Sequence, residues 1–146
     1  MILYTIGFTQ KSAREFFELL RRNRVRRLVD IRLKPSGQLA GFAKKDDLPY
    51  FLDHLADGCD YVHMPELAPD PEILKDYRED KDWERYVQRF EALMDERQAV
   101  EQLDRAEFES VRSCFLCSEA TADQCHRRLV AERLARLWGP VEIVHL

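Results

Sequence analysis

The amino-acid sequence predicts an α/β protein, a three-layer sandwich of Rossmann-like or flavodoxin-like type whose mainly parallel sheet of about five strands is flanked by helices. Three observations lead there. Short apolar, β-branched runs recur at Ile2 to Phe8, Val25 to Ile31, Cys59 to Met64, Val111 to Cys117 and Val141 to Leu146. Each pair of consecutive runs is separated by residues with apolar positions at helical spacing, the pattern of βαβ units and therefore of parallel pairing. The 146 residues, 45% of them hydrophobic, are the size of one ordinary domain with a substantial core.

In chain order, Ile2 to Phe8 is the first strand and carries Gly7 at its end, where backbone can turn sharply or approach a ligand. Ser12 caps a helix over about Ala13 to Arg22, with Glu15 as capping-box partner and Phe16, Leu19 and Leu20 as its buried stripe. Val25 to Ile31 is the second strand, and Asp30-Ile31-Arg32 puts charged groups where it should meet solvent. Leu33 to Lys45, with Pro35, Gly37 and Gly41, reads as a loop. Asp46 and Asp47 open a helix with Pro49 in its first turn, and Gly58 stops it. Cys59 to Met64 is strand three, closed by Pro65. Pro69 to Glu109 reads as almost wholly helical, with breaks near Asp80 and Gln98 and a stripe of Trp83, Tyr86, Val87, Phe90 and Leu93. Strand four leads through a polar turn into a last helix, capped by Thr121 or Asp123, and Gly139-Pro140 separates that helix from strand five.

Charge is unevenly spread: residues 1 to 50 carry a net +6 and the remainder −10, against a total of −4. A basic amino-terminal third can serve a polyanion, but Arg21, Arg22, Arg24, Arg26 and Arg27 also fall where cations oppose the dipole of a helix end. The apolar runs are far too short to span a bilayer and the amino terminus does not resemble a secretory signal, so a cytoplasmic protein without membrane contact is expected. Three of the four cysteines fall within twelve residues on one strand-turn-helix, which argues against a disulfide framework and leaves free thiols, a metal site or a redox pair.

In parallel α/β sheets ligands bind outside the carboxyl ends of the strands. Gly7, Asp30 to Arg32, His63 to Glu66 and Cys117 to Glu119 should therefore converge on one rim, and Gly7, Asp30, Arg32, His63 and Cys117 should surround one cleft. Candidate catalytic residues are Cys117 and Cys125 as thiolates, His126 as acid or base and Glu119 as its orienter. Candidate ligand-binding residues are Gly7, Asp30, Arg32, His63 and Arg127, with Arg32 and Arg127 gripping an anion. A zinc site built from Cys114, Cys117, Cys125 and His126 is disfavoured by spacing. Cys114 and Cys117 should point to opposite faces of a strand, and Cys125 and His126 should diverge on a helix. No metal ligands are assigned, no nucleotide-binding or hydrolase motif is present, and no cofactor is named by the residues.

Thr5-Ile6-Gly7, Val29-Asp30-Ile31-Arg32 with Pro35, Tyr61-Val62-His63-Met64-Pro65-Glu66-Leu67, and Cys117-x-Glu119 followed by Cys125-His126-Arg127 together resemble the family known as domain of unknown function 488. The resemblance runs along nearly the whole chain and implies an α/β domain with site candidates at those motif positions. It names no reaction. The family usually continues T-I-G with a histidine, where this chain has Phe8, and usually carries a basic loop after V-D-[IV]-R, where Leu33 to Gln38 keeps one lysine. The reading drawn from all this is an enzyme acting on a phosphorylated small molecule or nucleic-acid component; the alternatives are a nucleotide or nucleic-acid binding module without catalysis, and a metal-stabilised adaptor.

Overall fold

The computed structural model describes residues 1–146. Five parallel strands, β1 (Ile2–Gly7), β2 (Arg27–Asp30), β3 (Asp60–His63), β4 (Ser113–Cys117) and β5 (Glu142–His145), form one sheet in the order β3-β2-β4-β1-β5. Helices α1 (Ala13–Arg22), α2 (Leu48–Leu55), α3 (Pro71–Asp80), α4 (Trp83–Arg97), α5 (Arg105–Ser110) and α6 (His126–Trp138) cover its two faces. The expected three-layer α/β sandwich is the observed architecture.

The layers follow from side-chain alternation. In β1, Tyr4 and Ile6 enter a core with Phe16, Phe17 and Leu20 of α1 and Leu48 and Leu52 of α2, whereas Leu3 enters the opposite core with Phe90 and Met94 of α4, Phe108 of α5 and Leu129, Val130 and Leu134 of α6. Strand β4 divides the same way: Cys114 and Leu116 join the α1/α2 core, and Phe115 and Cys117 the other. The expectation that Cys114 and Cys117 face opposite sides is met. Burial on both faces explains why the central strands read as near-continuous apolar runs.

Ser12 caps α1 as expected, its hydroxyl accepting from the Glu15 N–H at 3.1 Å. The charged stretch after Pro69 resolves into α3, α4 and α5, and the breaks at Asp80 and Gln98 come where Lys81 and Gln98 adopt left-handed backbone with φ of 55° and 47°. Two expectations are corrected. Helix α6 is capped neither by Thr121 nor by Asp123: its N-cap is Cys125, held extended at φ −135° and ψ 139° by a turn that needs no hydroxyl or carboxylate. Nor do Asp30 and Arg32 meet solvent, since the segment Gln38–Ala43, a short 3-10 stretch, folds back beside the end of β2 and its Ala43 carbonyl accepts from Arg32 Nη2 at 2.6 Å.

Strand order places the functional rim. The chain leaves β1 and β2 toward the α1/α2 face and leaves β3 and β4 toward the other, so β4 ends between two neighbours whose connections run the opposite way. Crevices open at such reversals. In register, Gly7 lies beside Cys117, and Asp30 beside both Leu116 and His63. No helix is long and apolar enough to cross a membrane.

Candidate functional site

The two crevices flanking β4 differ because of Gly7. A Cβ at this position would overlap the Glu119 carbonyl oxygen and Arg127 Nη1, so only glycine lets the turn after β4 lie across the end of β1. The Thr9 N–H donates to the Ser118 carbonyl at 3.1 Å, the Thr9 hydroxyl donates to the same oxygen, and the crevice on the β1 side is closed. On the β2 side it stays open as a cleft of about 420 Å3. Its floor is Cys117, Cys125 and His126; its walls are Arg32, Lys34 and Glu119 on one side and Tyr77, Arg78 and Lys81 of α3 and its C-terminal turn on the other. Four cations thus face one carboxylate.

Arg127, in the first turn of α6, is 1% exposed and lies behind this floor. Its Nε donates to Thr5 Oγ1 at 3.2 Å, and its Nη1 donates to the Glu119 carbonyl at 2.5 Å and to Cys117 Sγ at 3.8 Å. Thr5 Oγ1 in turn shares a 2.6 Å hydrogen bond with His145 Nδ1 on β5. Burial lowers the pKa of the guanidinium, with the Glu119 charge acting in the opposite direction. The T-I-G segment thereby acquires a physical account: Thr5 anchors Arg127, Ile6 fills the core, and Gly7 admits both Arg127 and the β4 turn.

On the other side of β4, Asp30 is fully buried and accepts from Arg32 Nε at 2.8 Å, Arg32 Nη2 at 2.7 Å and the Tyr61 hydroxyl at 2.5 Å. Burial, followed by its bond to Asp30, raises the Tyr61 pKa, so the phenol stays protonated. His63 Nε2 donates to the Arg32 carbonyl at 2.7 Å. His126 Nε2 donates to the Ile31 carbonyl at 2.7 Å, and burial drops the imidazole pKa to about 4, leaving a neutral ring whose Nδ1 keeps its lone pair.

Of the residues expected around one cleft, Arg32 and Cys117 line it, together with Glu119, Cys125 and His126. Gly7, Asp30, His63 and Arg127 do not; they stand behind its wall and fix the residues that do. Phe8, in place of the family histidine, packs edge-on against Phe42 and lies under the Arg32 guanidinium at 5.3 Å. His63, whose Nε2 is taken up by the Arg32 carbonyl, does not line the cleft. Two outcomes matter most. Cys117 and Cys125 are joined as a disulfide, the redox pair among the three alternatives that the cysteine spacing left open. Because Cys125 is extended rather than helical, its sulfur and His126 converge instead of diverging, and the donor atoms of Cys117, Cys125 and His126 lie within 4.8 Å of one another. Lys34, Tyr77, Arg78, Lys81 and Gln124 complete the lining without a motif of their own, since isolated polar or aromatic residues of a loop or a charged helix carry no sequence signal that separates cleft from solvated surface. Cys59, just before β3, and Cys114, near the start of β4, are buried free thiols at the amino-terminal end of the sheet.

The basic arginines at the end of α1 lie elsewhere. Arg21 and Arg22 pair with Glu18, Arg26 Nη1 donates to the Asp57 carbonyl, and buried Arg27 pairs with Glu107, all at the amino-terminal edge of the sheet, opposite the cleft.

Fold and site together define a three-layer parallel α/β domain with a cation-walled cleft over a cysteine pair at the carboxyl end of its central strand. The chain belongs to the family described as Domain of unknown function DUF488, whose model matches residues 12–134. Neither the curated proteins nor the solved structures give a significant match.

Proposed function

We propose that the protein is an enzyme acting on a phosphorylated small molecule or nucleic-acid component bound in this cleft. One observation carries the reading: Arg32, Lys34, Arg78 and Lys81 converge with a single carboxylate, Glu119, above the sulfurs of Cys117 and Cys125. Cations grouped around a concave, partly apolar site raise the local concentration of anions and hold them. Arg32 is committed to Asp30 through two of its nitrogens, which fixes its orientation, so the exposed Lys34, Arg78 and Lys81 supply the free charge.

Within this reading, the reduced Cys117 is the nucleophile, because Arg127 Nη1 at 3.8 Å favours its thiolate. His126, neutral and donating its Nε2 proton to Ile31, accepts through Nδ1. Glu119 is exposed at the cleft mouth and does not orient His126, whose ring is fixed by the Ile31 carbonyl instead. Tyr77, half-buried on the wall with its hydroxyl donating to Gln124 Oε1 at 3.0 Å, offers an aromatic surface and supports a second reading, a nucleotide-binding module in which a base lies against that ring and nothing reacts.

Binding of inorganic pyrophosphate and nucleoside monophosphates to the reduced protein, followed by calorimetry, tests the proposal. Lys34→Gln with Arg78→Gln should weaken binding at least about tenfold and flatten its dependence on salt. Equal binding by the double variant would overturn the cleft as the site. Cys117→Ser should keep binding and abolish turnover of whichever phosphorylated compound is converted, whereas a pure binding module shows no turnover in either protein.

A further inference from the structure

The convergence of Cys117, Cys125 and His126 is more than thiol chemistry requires. We propose that in the reduced protein these three side chains form a binding site for a thiophilic divalent cation of the zinc type, with its fourth position open to the cleft. The proposal does not depend on the identity of the anion, and it concerns a metal-loaded reduced state distinct from the metal-free reduced state in which Cys117 Sγ and His126 Nδ1 are free for the roles given above.

The donor set comes first. Two sulfurs and a ring nitrogen within 4.8 Å of one another need only small adjustments to surround one ion at the usual ~2.3 Å to sulfur and ~2.0 Å to nitrogen. The Cα atoms of Cys117 and Cys125 are 7.7 Å apart, a spacing suited to two thiolates held on a shared ion, whose sulfurs stand roughly 3.8 Å from each other. Soft thiolates with imidazole select zinc, cobalt or cuprous copper over magnesium and calcium.

The surroundings are those of a ligand shell. His126 Nε2 is fixed on the Ile31 carbonyl, which sets the tautomer and leaves Nδ1 as the ring's free donor. Arg127 Nη1 donates to Cys117 Sγ and stabilises the charged sulfur that a metal needs. All three ligands are buried, and they come from the end of β4 and the start of α6, elements held together through Gly7 and Arg127. All three also line the cleft, so the fourth position would take water or an oxygen of a bound anion. Three protein ligands with an open site is the arrangement of zinc centres that do chemistry, not of closed structural ones.

Loading is a proton exchange. The divalent ion enters, both thiols lose their protons to solvent, two metal–sulfur bonds and one metal–nitrogen bond form, and no electrons move. The disulfide form uses both sulfurs in the sulfur–sulfur bond and offers no thiolate. Its conversion requires a dithiol reductant that gives up two electrons and two protons and becomes a disulfide itself.

The test uses cobalt(II) as probe on the whole protein, reduced with dithiothreitol and desalted without air. One equivalent per chain should produce sulfur-to-cobalt charge-transfer absorption with the intense ligand-field bands of a tetrahedral ion, and zinc should displace it. The same protein left oxidised should give neither band, a comparison that needs no variant. Cys117→Ser and Cys125→Ser should lose the charge-transfer absorption, and Cys114→Ser, on the opposite face of β4, should keep it. Absence of the bands in reduced protein whose thiols are titratable, or their persistence in the oxidised protein, would overturn the site. Failure of phosphate compounds to bind would leave these spectra unchanged, so the two proposals fail separately.

Discussion

Asp30 and Arg32 close on each other at the end of β2, with both carboxylate oxygens engaged by the guanidinium at 2.8 and 2.7 Å and the pair almost wholly buried. The Tyr61 hydroxyl and the Ala43 carbonyl complete the arrangement. Removing one member strands the other charge in the interior, which costs about 3–5 kcal/mol, while replacing both by apolar groups of similar size costs far less. Asp30→Ala is therefore expected to lose about that much stability, and Asp30→Leu combined with Arg32→Met to recover most of it. Urea unfolding of the three proteins measures this; equal losses in the single and double variants would show that the pair is not acting as a unit.

Gly7 predicts a second cost. Any side chain there pushes against the Glu119 backbone, which cannot yield cheaply, and against Arg127 Nη1, the tip of a side chain pinned by Thr5 and the Glu119 carbonyl. Gly7→Ala should lose roughly 1–3 kcal/mol or more, of the size seen for overpacked cores. It should also expose Cys117, because the turn that covers it is displaced. Thermal unfolding and the alkylation rate of the reduced protein report the two effects independently.

The free thiols make stability fall in alkali. Burial pushes the Cys59 thiol up to about 12 and the Cys114 thiol well above its ordinary value of 9. Because both folded values are raised, their contribution is fully present below about pH 9 and is lost as pH rises through the folded values, where the unfolded chain releases protons that the folded one keeps. About two units above the unfolded value, Cys59 should have surrendered roughly 3 kcal/mol, and Cys114 acts in the same direction. Comparing urea midpoints of wild type and Cys59→Ala near neutrality and in alkali should show a shallower alkaline decline in the variant. Parallel declines would remove Cys59 as a cause.

The two basic regions should behave independently. Arg22, Arg24 and Arg26 lie at the amino-terminal edge of the sheet, and a strand the length of β1 spans roughly 20 Å, about twice the screening length at physiological salt. Replacing these arginines by glutamine should leave phosphate-compound affinity within about twofold of wild type, in contrast to Lys34 and Arg78. A comparable loss from both sets would mean that binding is a diffuse charge effect and not a cleft.

Local pattern was enough to reveal the architecture. Strands buried on both faces read as apolar runs, α1 announces itself through Ser12 and Glu15, and α3 and α4 end where the polar breaks at Asp80 and Gln98 suggested. The parallel sheet then carried the strand ends to one edge, so Arg32, Cys117 and Glu119 could be named as neighbours from topology, and Cys125 and His126 from the turn that follows β4.

What the sequence could not reveal was the role each neighbour takes, because that depends on approach at the scale of single atoms. Whether Asp30 faces a ligand or Arg32 was decided by the Gln38–Ala43 segment folding over it. Whether Cys125 diverges from His126 or converges with it was decided by one residue of helix start, since an extended N-cap and a first helical turn aim their side chains differently. The cationic wall of Arg78 and Lys81 exists only because α3 packs across the end of the sheet. Periodicity reports which face a residue occupies; distance across a cleft between segments far apart in sequence is fixed by packing, and only the tertiary structure carries it.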